Sequence, residues 1–178
     1  MSIRVFSFLL LLIASPLLLL AQRKNDDLNY HIKKTPTPIL IDGVIDEAWL
    51  LAETADNFNM VLPMDTSKSL VKTAVKMSYD NEHLYLIAIC YYKPDQAYMV
   101  ESLKRDFVFG KNDNFLLFMD PFDDQTNGFS FGSNAAGAQW DGIMYDGGKV
   151  DLNWDNKWSS AVKNYQDKWI WEAAIPFK

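Results

Sequence analysis

An all-β fold, an antiparallel β-sandwich of jelly-roll type with one short helix near the N-terminus, is what this sequence predicts. Three observations predict it. Short apolar runs with period-two alternation recur along the chain. Clusters rich in Asp, Asn and Gly separate them. Helical signal is confined to one segment of about two turns.

In chain order, residues 1–21 read as a signal peptide. Arg4 precedes an apolar run that ends at Leu19-Leu20-Ala21, and cleavage is expected after Ala21. A membrane anchor fits less well, because the run falls short of the about 20 residues that span a bilayer and Pro16 interrupts it. No Cys follows the run, which excludes a lipid-modified N-terminal Cys. Residues 22–28 form a polar linker, and 29–178 form one domain.

The helical segment is Asp46 to Ala52, with Asp46 placed to cap the free amides behind it. Val71 to Tyr79 alternates as a strand with one buried face. The turn Asp80-Asn81-Glu82-His83 leads into Leu84 to Tyr92, which is apolar on both faces, as a central strand of a sandwich must be. The two make a hairpin. Further strands are expected at Phe115–Met119, Phe129–Phe131, Gln139–Tyr145, Trp158–Val162 and Trp169–Ile175.

Composition bounds the function. The chain has 178 residues, 49% hydrophobic and 22% charged, with 17 basic against 23 acidic side chains and a formal net charge of -6. One foldable domain fits these values. Net acidity argues against nucleic acid and anionic lipid as partners, because each needs a basic face and no basic run exceeds two residues, as at Lys33-Lys34. Cys90 is the only cysteine, so an internal disulfide is impossible and stability must come from the core or from bound metal. Cys90 itself reads as a small buried hydrophobe.

No Gly-x-Ser-x-Gly elbow, His-Glu-x-x-His pair or phosphate-binding Gly-x-x-x-x-Gly-Lys-Ser/Thr is present, and His31 and His83 are the only imidazoles. No catalytic residue is singled out. The acids cluster instead in turns, among them Asp42, Asp46, Asp106, Asp113, Asp120, Asp123, Asp124, Asp141, Asp146, Asp151 and Asp155. Loop carboxylates suit Ca²⁺, and they equally suit turns and solvation. A glycosidase needs a carboxylate pair across the scissile bond, but among so many acids the sequence singles out none.

All six Trp lie beyond residue 21. Trp49, on its short helix, and Trp169, in an apolar strand, read as core. Trp140 sits between Gln139 and Asp141, and Trp154 and Trp158 lie among Asn153, Asp155, Asn156 and Lys157. These three are open to both readings, core or a flat face on which a sugar ring stacks.

Several segments then fall into an order that resembles the family 9 carbohydrate-binding modules and their relatives. They are Ile41-Asp42-Gly43-Val44-Ile45-Asp46-Glu47-Ala48-Trp49, Tyr79-Asp80-Asn81-Glu82-His83-Leu84-Tyr85, Arg105-Asp106, and Asn114-Phe115 to Asp120 with Asn127-Gly128. Next come Asn134-Ala135-Ala136-Gly137-Ala138-Gln139-Trp140-Asp141, Trp154-Asp155-Asn156-Lys157-Trp158, and Trp169 with Glu172-Ala173-Ala174-Ile175-Pro176-Phe177. The resemblance runs from about Asn29 to Phe177 and implies a β-sandwich that binds oligo- or polysaccharide without cleaving it, with structural calcium in some members. It implies Arg105, Asn134, Gln139, Trp140 and Trp154 as the sugar-binding residues. Asp42, Asp113 and Asp141 are the expected calcium ligands.

The spacing is closest to a subgroup in which such a module opens an exported protein and a β-barrel-like outer-membrane region follows. The chain stops directly after Phe177-Lys178, so a longer protein is expected, with the module tethering glycan breakdown or uptake in the periplasm, at the outer membrane or outside the cell. The full-length parent could then be a glycoside hydrolase. The alternative is a structural domain that packs on that C-terminal region and has no sugar ligand.

Overall fold

A computed structural model describes residues 28–61, 67–92, 95 and 98–178. The expected signal peptide lies outside the described residues. No helix among the described residues is long and apolar enough to cross a membrane.

The described residues of the unit His31–Lys178 form nine strands in two sheets. The strands are β1 (Lys33–Lys34), β2 (Thr73–Tyr79), β3 (His83–Tyr91), β4 (Asn114–Met119), β5 (Gly128–Asn134), β6 (Gln139–Tyr145), β7 (Lys149–Asp151), β8 (Ser159–Asn164) and β9 (Lys168–Pro176). One sheet runs β1-β2-β3-β9-β8 and the other β4-β5-β6-β7. Every pairing is antiparallel except β1 with β2. The all-β sandwich expected from the sequence is thus present. Its expected helix is a 3-10 turn, Glu47–Leu51, whose first amides Asp46 caps by accepting from the Ala48 N–H at 3.0 Å.

Alternation explains why β3 is apolar on both faces. Leu86, Ala88 and Cys90 join Trp169, Trp171 and Ala173 of β9, and Phe115 and Leu117 of the other sheet pack against them. Ile87 and Ile89 point the other way, into a second cluster with Ile39, Ala48, Trp49 and Ile170. The five-stranded sheet therefore carries the facing sheet on one side and the N-terminal segment on the other. Lys76 of β2 holds that segment down, donating to the Trp49 and Ala52 carbonyls at 2.9 and 3.0 Å.

Register places the functional side chains. In the four-stranded sheet Phe131 pairs with Asp141 and Ser133 with Gln139, so these side chains share the inner face with Phe115 and Leu117. Leu116, Gly132 and Trp140 share the outer face.

Candidate sugar-binding site

Two separate segments, β6 and the loop after β7, converge on Arg105. It lies in the loop between β3 and β4 and is 33% exposed. Its Nε donates to Asp155 Oδ1 at 2.8 Å, its Nη1 to Gln139 Oε1 at 3.0 Å, and its Nη2 to Asp141 Oδ1. A planar fork with donors on three nitrogens can serve several acceptors at once, which a lysine cannot. Asp141 is fully buried on β6, and its second oxygen accepts from the Asn156 N–H at 2.8 Å. Gln139 adds two more ties, through its carbonyl to the Asp106 N–H at 3.0 Å and through its Nε2 to the Trp158 carbonyl at 3.2 Å.

Residues 154–158 form a strap over the inner face of the four-stranded sheet. Trp154 is partly exposed and lies on Phe129, with ring centroids 5.3 Å apart, and edge-on to Phe131 at 6.0 Å. From there Phe131, Trp158, Trp171 and Phe115 continue ring to ring into the core. Trp154 and Asn156 line a cleft of about 410 Å³ whose other walls include Leu84, Met119, Phe129 and Ile175. Asn156 also borders a second, more polar opening shared with His83, Gln139 and Lys157.

Asp106 stands beside this network with φ of 56°, a left-handed conformation that few residues other than glycine adopt. Burial pushes its carboxyl above the ordinary range, against the pull of the Asp141 backbone N–H and the Arg105 guanidinium; Asp141 and Asp155 push it further up. Its Oδ1 is buried without a hydrogen-bond partner.

Of the residues expected to bind sugar, Arg105 and Gln139 meet directly, and Trp154 joins them through the strap. Trp140 and Asn134 do not. Trp140 is 3% exposed and packs with Phe107 and Ala138 under Leu116 and Val150, and Phe118 meets it edge-on at 6.1 Å. The reason is strand alternation: Gln139 and Asp141 face inward, so the indole between them faces the opposite side, where Phe107 covers it. Asn134 is fully buried and organises the β5–β6 turn. Its Oδ1 accepts from the Ala136 and Ala138 N–H groups, and its Nδ2 donates to the Ser102 carbonyl at 2.7 Å. Asp155 and Asn156 were not among the expected binding residues, although they sit in the motif that holds Trp154.

The expected calcium ligands are not brought together. Asp42 caps a turn, accepting from the Val44 N–H at 2.9 Å. Asp113 accepts from the Met99 N–H at 2.7 Å, and Asp141 is held by Arg105 and Asn156. Among the described residues no group of three or more His, Cys, Asp or Glu side chains is placed to hold a metal ion. This trio does not fit one ion.

The family model described as Carbohydrate family 9 binding domain-like matches residues 41–178. A family 9 carbohydrate-binding module from Caldicellulosiruptor kristjanssonii, solved with glucose, is similar in fold at a TM-score of 0.56 and 15% identity, covering 83% of this chain and 69% of that one. The same organism's family 9 module solved with cellotriose gives a TM-score of 0.57 at 16% identity, over 82% of this chain and 66% of that one. A crystal structure from Bacteroides uniformis gives 0.61 at 11% identity, over 84% and 72%. At these identities the likeness is one of fold. Among curated protein sequences none matches the chain.

Proposed function

This chain belongs to the carbohydrate family 9 binding domain-like family, and on that premise we propose that it is a non-catalytic carbohydrate-binding module of a larger exported protein. The observation that carries this reading is the strap. Its Trp154 is a partly exposed indole lining a cleft, and its neighbours Asp155 and Asn156 belong to the hydrogen-bonded network of Arg105, Gln139 and Asp141. An apolar ring beside fixed donors and acceptors is what a sugar needs, with one C–H face to stack and hydroxyls to bond. Glucose and cellotriose, the ligands of the two similar Caldicellulosiruptor modules, define the first ligand class to try.

Export rests on the signal-like residues 1–21, and a link to glycan breakdown or uptake rests on the resemblance to modules that open larger exported proteins. A second reading draws support from the largely apolar walls of the cleft and from Phe122 and Phe177 near it, 63% and 55% exposed. In that reading the cleft receives an apolar segment of the longer protein and no sugar.

Titration of the purified chain with glucose, cello-oligosaccharides and a wider oligosaccharide panel separates the two. Saturable binding of a soluble sugar supports the module. If no panel member binds, while a C-terminally extended protein buries Phe122 and Phe177, the docking reading replaces it.

A further inference from the structure

We propose that Asp141 is the positioning residue of this face: a buried carboxylate that fixes the loop carrying Arg105 and the strap carrying Trp154 in one arrangement. The inference rests on the strap being the sugar-binding face for its consequence, although its structural content can be measured without any sugar.

The two oxygens of Asp141 have separate duties. Oδ1 accepts from Arg105 Nη2, 36 positions away in the chain, and Oδ2 accepts from the Asn156 N–H, 15 positions away at 2.8 Å. Asp155 precedes Asn156 and returns to Arg105 Nε at 2.8 Å, so Arg105, Asp141 and the strap close a ring. The members of that ring differ in exposure. Asp155 is 68% exposed, and an ion pair in water holds two segments together only weakly. Asp141 is fully buried, where the same contact is strong and where leaving either donor unmatched is costly.

Arg105 lies within ion-pair distance of Asp106, Asp141 and Asp155, so one cation serves three acids, and of these Asp141 is the one fully buried. A carboxylate is required because two acceptor oxygens are needed at once and one donor is a guanidinium. An amide has a single oxygen and turns its NH₂ toward whichever donor remains.

In Asp141→Asn a single oxygen must alternate between the two donors while the NH₂ opposes the other, so both the loop and the strap should loosen, and Arg105→Lys keeps the charge while losing the fork. Amide hydrogen exchange by NMR on the full chain reads the weld directly. In D141N the amides of Asp106, which donates to the Gln139 carbonyl, and of Asn156 are expected to exchange at least tenfold faster, while Ile87 and Trp171 in the central strands keep their wild-type rates. Cellotriose affinity, measured well below the melting temperature, should fall at least tenfold in the same variant and stay unchanged in Lys149→Ala, on the distant β6–β7 hairpin.

Unchanged protection of either Asp106 or Asn156 in D141N overturns the proposal, as does faster exchange with wild-type cellotriose affinity. If D141N does not fold, R105K decides: acceleration of both amides supports the weld, and acceleration of Asp106 alone overturns it. If the wild type binds neither cellotriose nor any other oligosaccharide of the panel, the sugar reading fails by itself, and the exchange data still decide whether Asp141 holds the two segments.

Discussion

The indole N–H of Trp49 donates to Glu172 Oε1 at 2.7 Å across 123 positions of sequence, and the other Glu172 oxygen accepts from the backbone N–H groups of Asp42 and Gly43 at 2.9 Å. This relationship explains two of the segments that stand out in the sequence. The Asp-Gly turn and the Trp of the N-terminal segment are donors, and the Glu in the middle of β9 is their common acceptor, fully buried on the face that Trp49 covers. Glu172→Ala leaves three donors without an acceptor, two of them buried, and is expected to lower stability by about 3 to 5 kcal/mol. Glu172→Gln, which keeps one acceptor oxygen, should lose less. Denaturant midpoints of the two variants check the order.

The same residue makes stability depend on pH. Burial pushes the Glu172 carboxyl above its ordinary 4.5, opposed by the donors from Trp49, Asp42 and Gly43. A folded-state pKa above the unfolded one means that the native protein holds the proton more tightly. The contribution is therefore fully present below the unfolded pKa and is lost as pH rises through the folded one. The stability of the wild type relative to E172Q should be greatest in acid and shrink as pH rises from about 4.5. A difference that grows over that range contradicts the assignment.

Trp140 and Trp154 should behave as opposites. Trp140→Ala removes a ring enclosed by Phe107, Leu116 and Val150 and is expected to cost about 3 to 5 kcal/mol. Trp154→Ala removes a partly exposed ring from the cleft wall and should cost clearly less. Thermal melts of the two variants decide this.

Gly43 and Gly137 separate two reasons for glycine. Both have positive φ, 75° and 88°. A Cβ on Gly43 would stand 2.9 Å from Lys163 Cβ and 3.0 Å from its backbone nitrogen, whereas one on Gly137 would meet only Val162 Cβ at 3.8 Å. Gly137→Ala should cost about 1 to 2 kcal/mol for the left-handed backbone, and Gly43→Ala more. Equal costs from chemical denaturation would show that β8 yields to the new methyl group.

How far the sequence was legible follows from the range of each signal. Period-two alternation and apolar runs bounded by turns are both local signals, the first for β2 and the second for β3 and β9, so these strands were readable almost to their ends. β1 and β7, with two and three residues, are too short to show a period. In the sequence Trp140 stays open between core and platform because Gln139 and Asp141 read as its surroundings, whereas in a strand immediate neighbours face opposite sides. The bond from Arg105 to Asp141 spans 36 positions with no pattern connecting them, and only the fold brings them together. Trp154 was legible as a candidate because it lies in a loop, where polar neighbours do share its environment.

Calorimetric titration of the wild type and Trp154→Ala with cellotriose, each paired with a thermal melt, tests the central claim most directly. The account predicts saturable binding by the wild type and at least a tenfold loss in the variant, with a thermal midpoint that moves far less than that of Trp140→Ala. Wild-type affinity retained by Trp154→Ala, or no binding of any oligosaccharide by the wild type, would contradict it.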